Sequence, residues 1–287
     1  MTRTLINFIS STWFDWEPSS LINNLPGASF KLLNKNKSSG EITLLFRFPK
    51  NTYHKKTIIS NYNEEIYILD GSLEFSGNIL NKDFYTYNPI GYKKNFLSSL
   101  NGSIGFVFLN KKLVKSKKNN SFYPNFEHKL WIPRINAFEN IWQPISDNLK
   151  SIDIYNAGAR VKFLRKEKKT SQSTFLVGFP PLWSMPESKN VGGDIELFLI
   201  SGNINTSRGL MKPGSYLSIP KGSVIQKMHS KESAVFLCKS HKSFNLRPIT
   251  NENKFNYMEK YKRYDCIIPK KILLNIKTGP YSRLNND

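Results

Sequence analysis

Apolar residues along this chain come in short runs broken by Gly, Pro, Asn and Asp. GEITLLFRF, EEIYILDG, DFYTYNP and SIGFVFL appear in the first half; STFLVGF, IELFLISG, SYLSIP and AVFLCK follow in the second. Each run either alternates apolar with polar or is apolar throughout, and each stops at a turn residue. Strands recurring at roughly 8–12 residues with Gly and Pro between them predict an all-β sandwich or barrel. The pattern turns helical only weakly, over NKFNYMEKYKRY, which predicts one short helix at 253–264.

The runs form two copies of one unit. FPKNTYHKKTIISNYNEEIYILDG begins at Phe48 and FPPLWSMPESKNVGGDIELFLISG begins at Phe179, 131 residues later. The same offset carries Leu33 to Leu164, Pro49 to Pro180, Glu65 to Glu196, Tyr67 to Phe198, Gly71 to Gly202, Pro89 to Pro220 and Gly91 to Gly222. Upstream, Trp16-Glu17-Pro18 matches Trp142-Gln143-Pro144 at a slightly shorter offset. A fixed-period repeat of this kind predicts two similar folded units. The expected division is a barrel over 1–114, a polar linker over 115–135 with SKKNNS inside it, a second barrel over 136–244, and a C-terminal extension over 245–287 packed on one of the barrels. A basic tail that reaches a partner is the other reading of that extension.

Composition narrows the classes further. The chain has 287 residues, 39% hydrophobic and 13% aromatic, enough for two ordinary cores. It has no run of 18 apolar residues to cross a membrane. The first sixteen residues, MTRTLINFISSTWFDW, lack the apolar core and small-residue cleavage site of a secretory leader. Cys238 and Cys266 have no Cys-x-x-Cys spacing, which suits a reducing compartment and a cytoplasmic location. The net charge of +21 is large, but Lys is scattered rather than clustered, and Asn, Ile, Ser and Tyr are abundant too. That pattern fits a compositional bias better than a nucleic-acid footprint, and no helix-turn-helix or stacking platform accompanies it. No Ser-His-Asp order, phosphate-binding glycine loop or zinc-finger spacing occurs.

The turn Pro89-x-Gly91, its copy Pro220-x-Gly222, and the preceding EEIYILDG and IELFLISG are where a family resemblance lies. The chain resembles the bicupins, in particular the two-domain group similar to ChrR-like anti-sigma cupins. That resemblance implies two tandem cupin-type β-barrels (double-stranded β-helix, or jelly roll) over about residues 10–245. In the family, G(x)5HxH(x)3–4E(x)6G and G(x)5PxG(x)2H(x)3N supply three histidines and a glutamate to a divalent metal. Imidazole and carboxylate suit first-row metals, and alternate strand residues point into one barrel.

Matched residue by residue, most ligands are missing. In the first unit Glu64 takes the glutamate place, the H-x-H window falls on Thr57 to Ser60, and the last ligand place is Lys94. In the second the corresponding places are Ser188 to Val191, Ile195 and Ile225. The resemblance places the glutamate and the last ligand facing each other inside the barrel. The first barrel is therefore expected to hold a Glu64–Lys94 ion pair, the second to be filled with hydrocarbon. The competing reading lets Lys94 lean into solvent, as lysines usually do. Glu65 and Glu196 alternate away from the interior and read as equivalent surface charges. His54, His128, His229 and His241 have no ligand spacing; a displaced metal would need several of them to converge.

The function expected is a metal-free bicupin that binds a small molecule in the first barrel. Glu64, Lys94, Tyr53 and His54 line that pocket, and neither a metal nor another cofactor is needed. The alternative is a cupin-type dioxygenase or isomerase with a relocated divalent metal, or metal-free acid/base chemistry through Glu64 and Lys94. Homodimerisation through strand edges is implied by the resemblance; membrane and nucleic-acid partners are not.

Overall fold

A computed structural model describes residues 4–18, 25–36, 39–112, 126–144, 158–185, 189–242 and 246–248. Among these the chain is built from strands, with two short 3-10 turns at Ser11–Trp13 and His128–Leu130. The helix expected at 253–264 and the extension beyond 248 lie outside the described residues. Leu246–Pro248, at the start of that extension, pairs antiparallel with the strand Lys189–Val191.

The described residues divide into two compact units. The first has a ten-stranded sheet whose main path runs Ile132–Asn136, Phe84–Asn88, Tyr62–Phe75, Ser103–Lys112, Ile42–Phe48, Ser29–Lys35, Glu17–Pro18. The second has a seven-stranded sheet in the matching order: Ile6–Ser10, Ser215–Ile219, Ile195–Ser201, Ala234–Ser240, Ser173–Phe179, Arg160–Lys166, Gln143–Pro144. Every neighbour in both paths is antiparallel. The sequence repeat is thus a repeat of topology.

Alternation sets the cores. In Tyr62–Phe75, Tyr62, Ile66 and Ile68 face inward with Phe46, Phe48, Phe75, Leu97 and Val107. In the second unit Val177, Phe179, Leu197, Leu199, Phe236 and Cys238 do the same. Glycine holds one corner in both: a Cβ on Gly71 would lie 2.1 Å from the Gly102 carbonyl oxygen, and on Gly202 2.0 Å from that of Ser233. Each of these glycines also has positive φ, which L side chains avoid.

The domain boundaries differ from those expected. The compact units are drawn from Asp15–Asn140 and from Met1–Phe14 with Ile141–Asp287. The strand that enters the first repeat, Ile6–Ser10, is an edge of the second unit, with Ile6 opposite Ser218 and Ile9 opposite Tyr216. The strand that enters the second repeat, Ile132–Asn136, begins inside the expected linker, ends at the first residue of the expected second barrel, and is an edge of the first unit. Its Ile132 is opposite Tyr87 and its Ile135 opposite Tyr85. These registers are the same once repeat positions are matched, so the two units have exchanged equivalent edge strands. The physical cause is connectivity: each edge is completed by the chain entering the other repeat.

Candidate functional site

The first barrel encloses the expected ion pair. Glu64 projects inward between Tyr62 and Ile66, and Lys94 follows the Pro89-x-Gly91 turn on the short strand Lys93–Lys94. The Lys94 Nζ lies 2.8 Å from Glu64 Oε1 and 2.7 Å from Oε2, with both side chains 0% exposed. The ammonium therefore straddles the carboxylate, and it stands 5.2 Å from the centre of the Phe75 ring. Solvent is not where this lysine goes.

Further polar groups extend the pair. Asn88, directly opposite Glu64 in the ladder, donates its Nδ2–H to Glu64 Oε2 at 3.1 Å. The Trp131 indole donates to Asn88 Oδ1 at 3.2 Å. Trp131 is half-buried and stacks on Tyr92 with ring centres 5.6 Å apart; Phe126 and His128 complete an aromatic cluster around it. Burial raises the Tyr92 phenol, hydrogen bonds from Ser76 and Asn78 oppose that, and the Glu64 charge adds to it. A chain of polar contacts thus links the buried carboxylate to a half-buried indole. Sequence reasoning assigned Trp131 to the linker and missed it. The signal was available: the offset that matches Trp16 to Trp142 also matches Leu5 to Trp131, and each packs against the core it reaches.

In the second barrel the three positions equivalent to Glu64, Asn88 and Lys94 are Ile195, Ile219 and Ile225. All three are buried in its core cluster. One interior has an internal salt bridge; its copy has isoleucine at every corresponding place.

A divalent metal does not fit either set. The H-x-H window of the first barrel puts Ile58 opposite Lys94 and leaves Ser60 buried. With Glu64, that offers one carboxylate and an ammonium where three imidazoles and a carboxylate would be needed. In the second barrel Val191, Ile195 and Ile225 offer no ligand atoms. Among the described residues no three His, Cys, Asp or Glu side chains come together in a way that could hold a metal ion. Among the described residues the four histidines do not converge on such a group.

One expected pocket residue needs correction. Tyr53 is 58% exposed. It sits across from Ser98 and Glu74, on the face opposite the core row of Phe75 and Leu97, so alternation turns it outward. His54, one residue on, is opposite Leu97 on the edge strand Thr52–His54 and half-buried there.

Glu65 and Glu196 do alternate away from the barrel interiors, but they are not surface charges: both are buried. The outward sheet face is covered as well. Glu65 accepts from the Tyr85 hydroxyl at 2.7 Å and from Asn110 Nδ2 at 3.0 Å. Glu196 is held by the Tyr216 hydroxyl and by His241 Nε2, the latter at 2.7 Å. Tyr85 and Tyr216 are repeat equivalents, as are Asn110 and His241. The same carboxylate–phenol pair thus recurs with an exchangeable third donor. His241→Asn is expected to be tolerated, because asparagine serves that position in the first unit. His241→Ala, which removes one donor from a buried carboxylate, should cost about 1–3 kcal/mol in a urea melt. Equal losses for the two variants would mean the donor does not matter.

Burial pushes the Cys238 thiol well up, so it is an inert core group and not a nucleophile.

Comparison with known proteins agrees with this architecture. A protein of Nostoc punctiforme, described as a candidate dioxygenase, superposes with a TM-score of 0.68 at 15% identity over 87% of this chain and 86% of its own. Bacillus subtilis oxalate decarboxylase gives 0.51 at 14% identity over 88% and 79%. The Momordica charantia 7S globulin gives 0.53 at 11% over 88% and 89%. At these identities the likeness is one of fold. The Schizosaccharomyces pombe microtubule-associated protein ssm4 is 30% identical over 104 residues, which is 35% of this chain and 16% of that protein. The family model of the ChrR cupin-like domain matches residues 5–112 and again 146–245. Two barrels with one strand order and a duplicated Pro-x-Gly turn are what that double match describes, and the chain belongs to the ChrR cupin-like family.

Proposed function

We propose that this chain is a metal-independent bicupin whose first barrel binds a small molecule and whose second barrel is a packed scaffold. The observation that supports the reading is the buried Glu64–Lys94 pair: by the family resemblance Lys94 stands at a ligand place, and its ammonium supplies a positive charge to the carboxylate that would otherwise bind a metal. Its neighbours suit a binding site in kind: a few polar groups (Glu64, Asn88, Lys94) among Phe75, Tyr92 and Leu97. The buried Ser60 hydroxyl has no hydrogen-bond partner and is a further polar group on the Lys94 side of the barrel.

The pair also restricts the ligand. A guest that separates Glu64 from Lys94 must satisfy both charges again, because an uncompensated buried ion costs several kcal/mol. A simple anion would abandon Glu64 and a simple cation would abandon Lys94. The ligand class is therefore net neutral, with a donor or cationic end and an acceptor or anionic end, as in a free amino acid. No covalent step is assigned to it. The chain is taken to work in the cytoplasm.

Two measurements on protein purified without a chelating tag test this. Elemental analysis should find no stoichiometric transition metal; one metal per chain would overturn the reading in favour of a cupin metalloenzyme. In thermal-shift assays free amino acids should raise the melting temperature, and amines or carboxylates of the same carbon skeleton should not. If all three act alike, the ion pair does not select the ligand.

A further inference from the structure

The outward-facing Tyr53 belongs to a surface that the barrel interior does not explain. Tyr53 is 58% exposed, and Leu100, at the adjoining turn, is 65% exposed. The two are tied together by the strand pairing of Thr52 with Ser99 and by the Asn51 N–H donating to the Leu100 carbonyl at 2.9 Å. Phe96 packs beside Tyr53, ring centres 6.3 Å apart, and Lys55 Nζ is 6.0 Å from the Tyr53 ring. Lys50, Lys55, Lys56 and Lys93 are exposed on the same segments. Glu74, in the row across from Ser98, is the acidic residue of that sheet face. No Asp or Glu occurs from Phe48 to Asn63 or from Phe84 to Phe126. Exposed Tyr53 and Leu100 therefore share these segments of the first unit with exposed lysines, Lys55 lying beside the Tyr53 ring.

The second repeat has the same chemistry at the equivalent turn. Leu182 stands where the first repeat has Asn51, with φ of 60° and 75% exposure. Left-handed backbone is unfavourable for leucine, and an exposed leucine recovers no burial for it. Its N–H donates to the carbonyl of exposed Lys231, as Asn51 donates to that of Leu100. Each unit, taken by itself, displays a leucine and a lysine at this turn.

We infer that each of these turns, within its own unit, is a docking point for an anionic lipid surface. Leucines at loop tips can enter the headgroup region, tyrosine suits the interface, and lysines are drawn to the negative cytoplasmic leaflet. A nucleic acid would use the lysines and the aromatic rings, but it has no use for an exposed leucine, which cannot stack. The net charge of +21 adds a long-range attraction to the same surface. This interface is independent of whatever the first barrel binds.

Co-flotation of the full chain with vesicles decides it. Binding is expected to phosphatidylcholine vesicles containing phosphatidylserine and not to phosphatidylcholine alone. Lys55→Gln should weaken the partition about fivefold. Leu100→Ser and Leu182→Ser should weaken it further without moving the melting temperature downward, since both side chains are exposed. Two outcomes overturn the inference: no flotation with either vesicle, or flotation that the leucine variants leave untouched. Equal affinity for single-stranded DNA, lost with the lysines alone, would assign the surface to nucleic acid instead.

Discussion

Lys94→Ala will destabilise the first barrel by about 3–5 kcal/mol, the usual cost of leaving a buried charge without its partner. The loss follows from geometry. Lys94 Nζ contacts both Glu64 oxygens within 2.8 Å, and neither side chain reaches water. Removing the ammonium leaves a carboxylate with the Asn88 amide but no counter-charge. The pair itself is not expected to be stabilising, because both ions lose hydration when they are buried. The second repeat shows what the alternative looks like: Ile195, Ile219 and Ile225 at the matching positions. The triple variant Glu64→Ile/Asn88→Ile/Lys94→Ile should therefore recover most of the stability lost in Lys94→Ala, and lose all ligand response in the thermal-shift assay. Urea melts of the three proteins check this. A Lys94→Ala protein as stable as the parent would remove the physical basis of the proposed site. A triple variant worse than the single one would show that the first barrel needs its polar floor to fold.

Much of this was legible because a repeat supplies its own ruler. Gly71 and Gly202 sit at corners where any side chain would strike backbone, so they hold their place in the sequence and fix the register between copies. With register fixed, the cupin resemblance could set Glu64 and Lys94 facing each other inside one barrel, and the lysine's burial bears that out. What alternation cannot show is what covers a face. Glu65 and Glu196 point away from both interiors, as period-two alternation predicts, yet both are buried and hydrogen-bonded to tyrosines. Tyr53 shows the converse, since its strand is short and its phase is fixed only by pairing with Leu97–Ser99. The exchange of edge strands was invisible for another reason. Ile6–Ser10 and Ile132–Asn136 hold the same repeat position and share isoleucine at two matching places (Ile6 with Ile132, Ile9 with Ile135), so the repeat register alone does not say which sheet each completes. Trp131 was lost with that exchange, because it sits one residue before the misplaced strand.

Deleting residues 1–10 will damage the C-terminal barrel and spare the N-terminal one. Reading order along the chain suggests the opposite, which makes the outcome decisive. Ile6, Phe8 and Ile9 are all buried, and Phe8 is part of the second unit's core, packed near Trp13 with ring centres 5.6 Å apart. Phe8→Ala alone should cost about 3–5 kcal/mol. The deletion also strips Ser215–Ile219 of the strand that pairs with its outer side, leaving an edge that contains Tyr216, the partner of buried Glu196. An unpaired hydrophobic edge of that kind invites self-association. Native-state hydrogen exchange followed by peptide mass spectrometry can read the two units separately. Amides in Ile195–Ser201 and Ser215–Ile219 should lose protection in the truncated protein, and those in Ile42–Phe48 and Ser103–Lys112 should keep theirs. The reverse pattern would mean that the first strand completes the barrel it precedes, and the exchange of edges would then have to be abandoned. By the same logic a fragment of 1–114 should fold poorly. It lacks Ile132–Asn136, the edge beside Phe84–Asn88, and Trp131, whose indole reaches the polar floor through Asn88. A fragment of 15–140 contains every strand of the first sheet path and should fold and retain the buried Glu64–Lys94 pair.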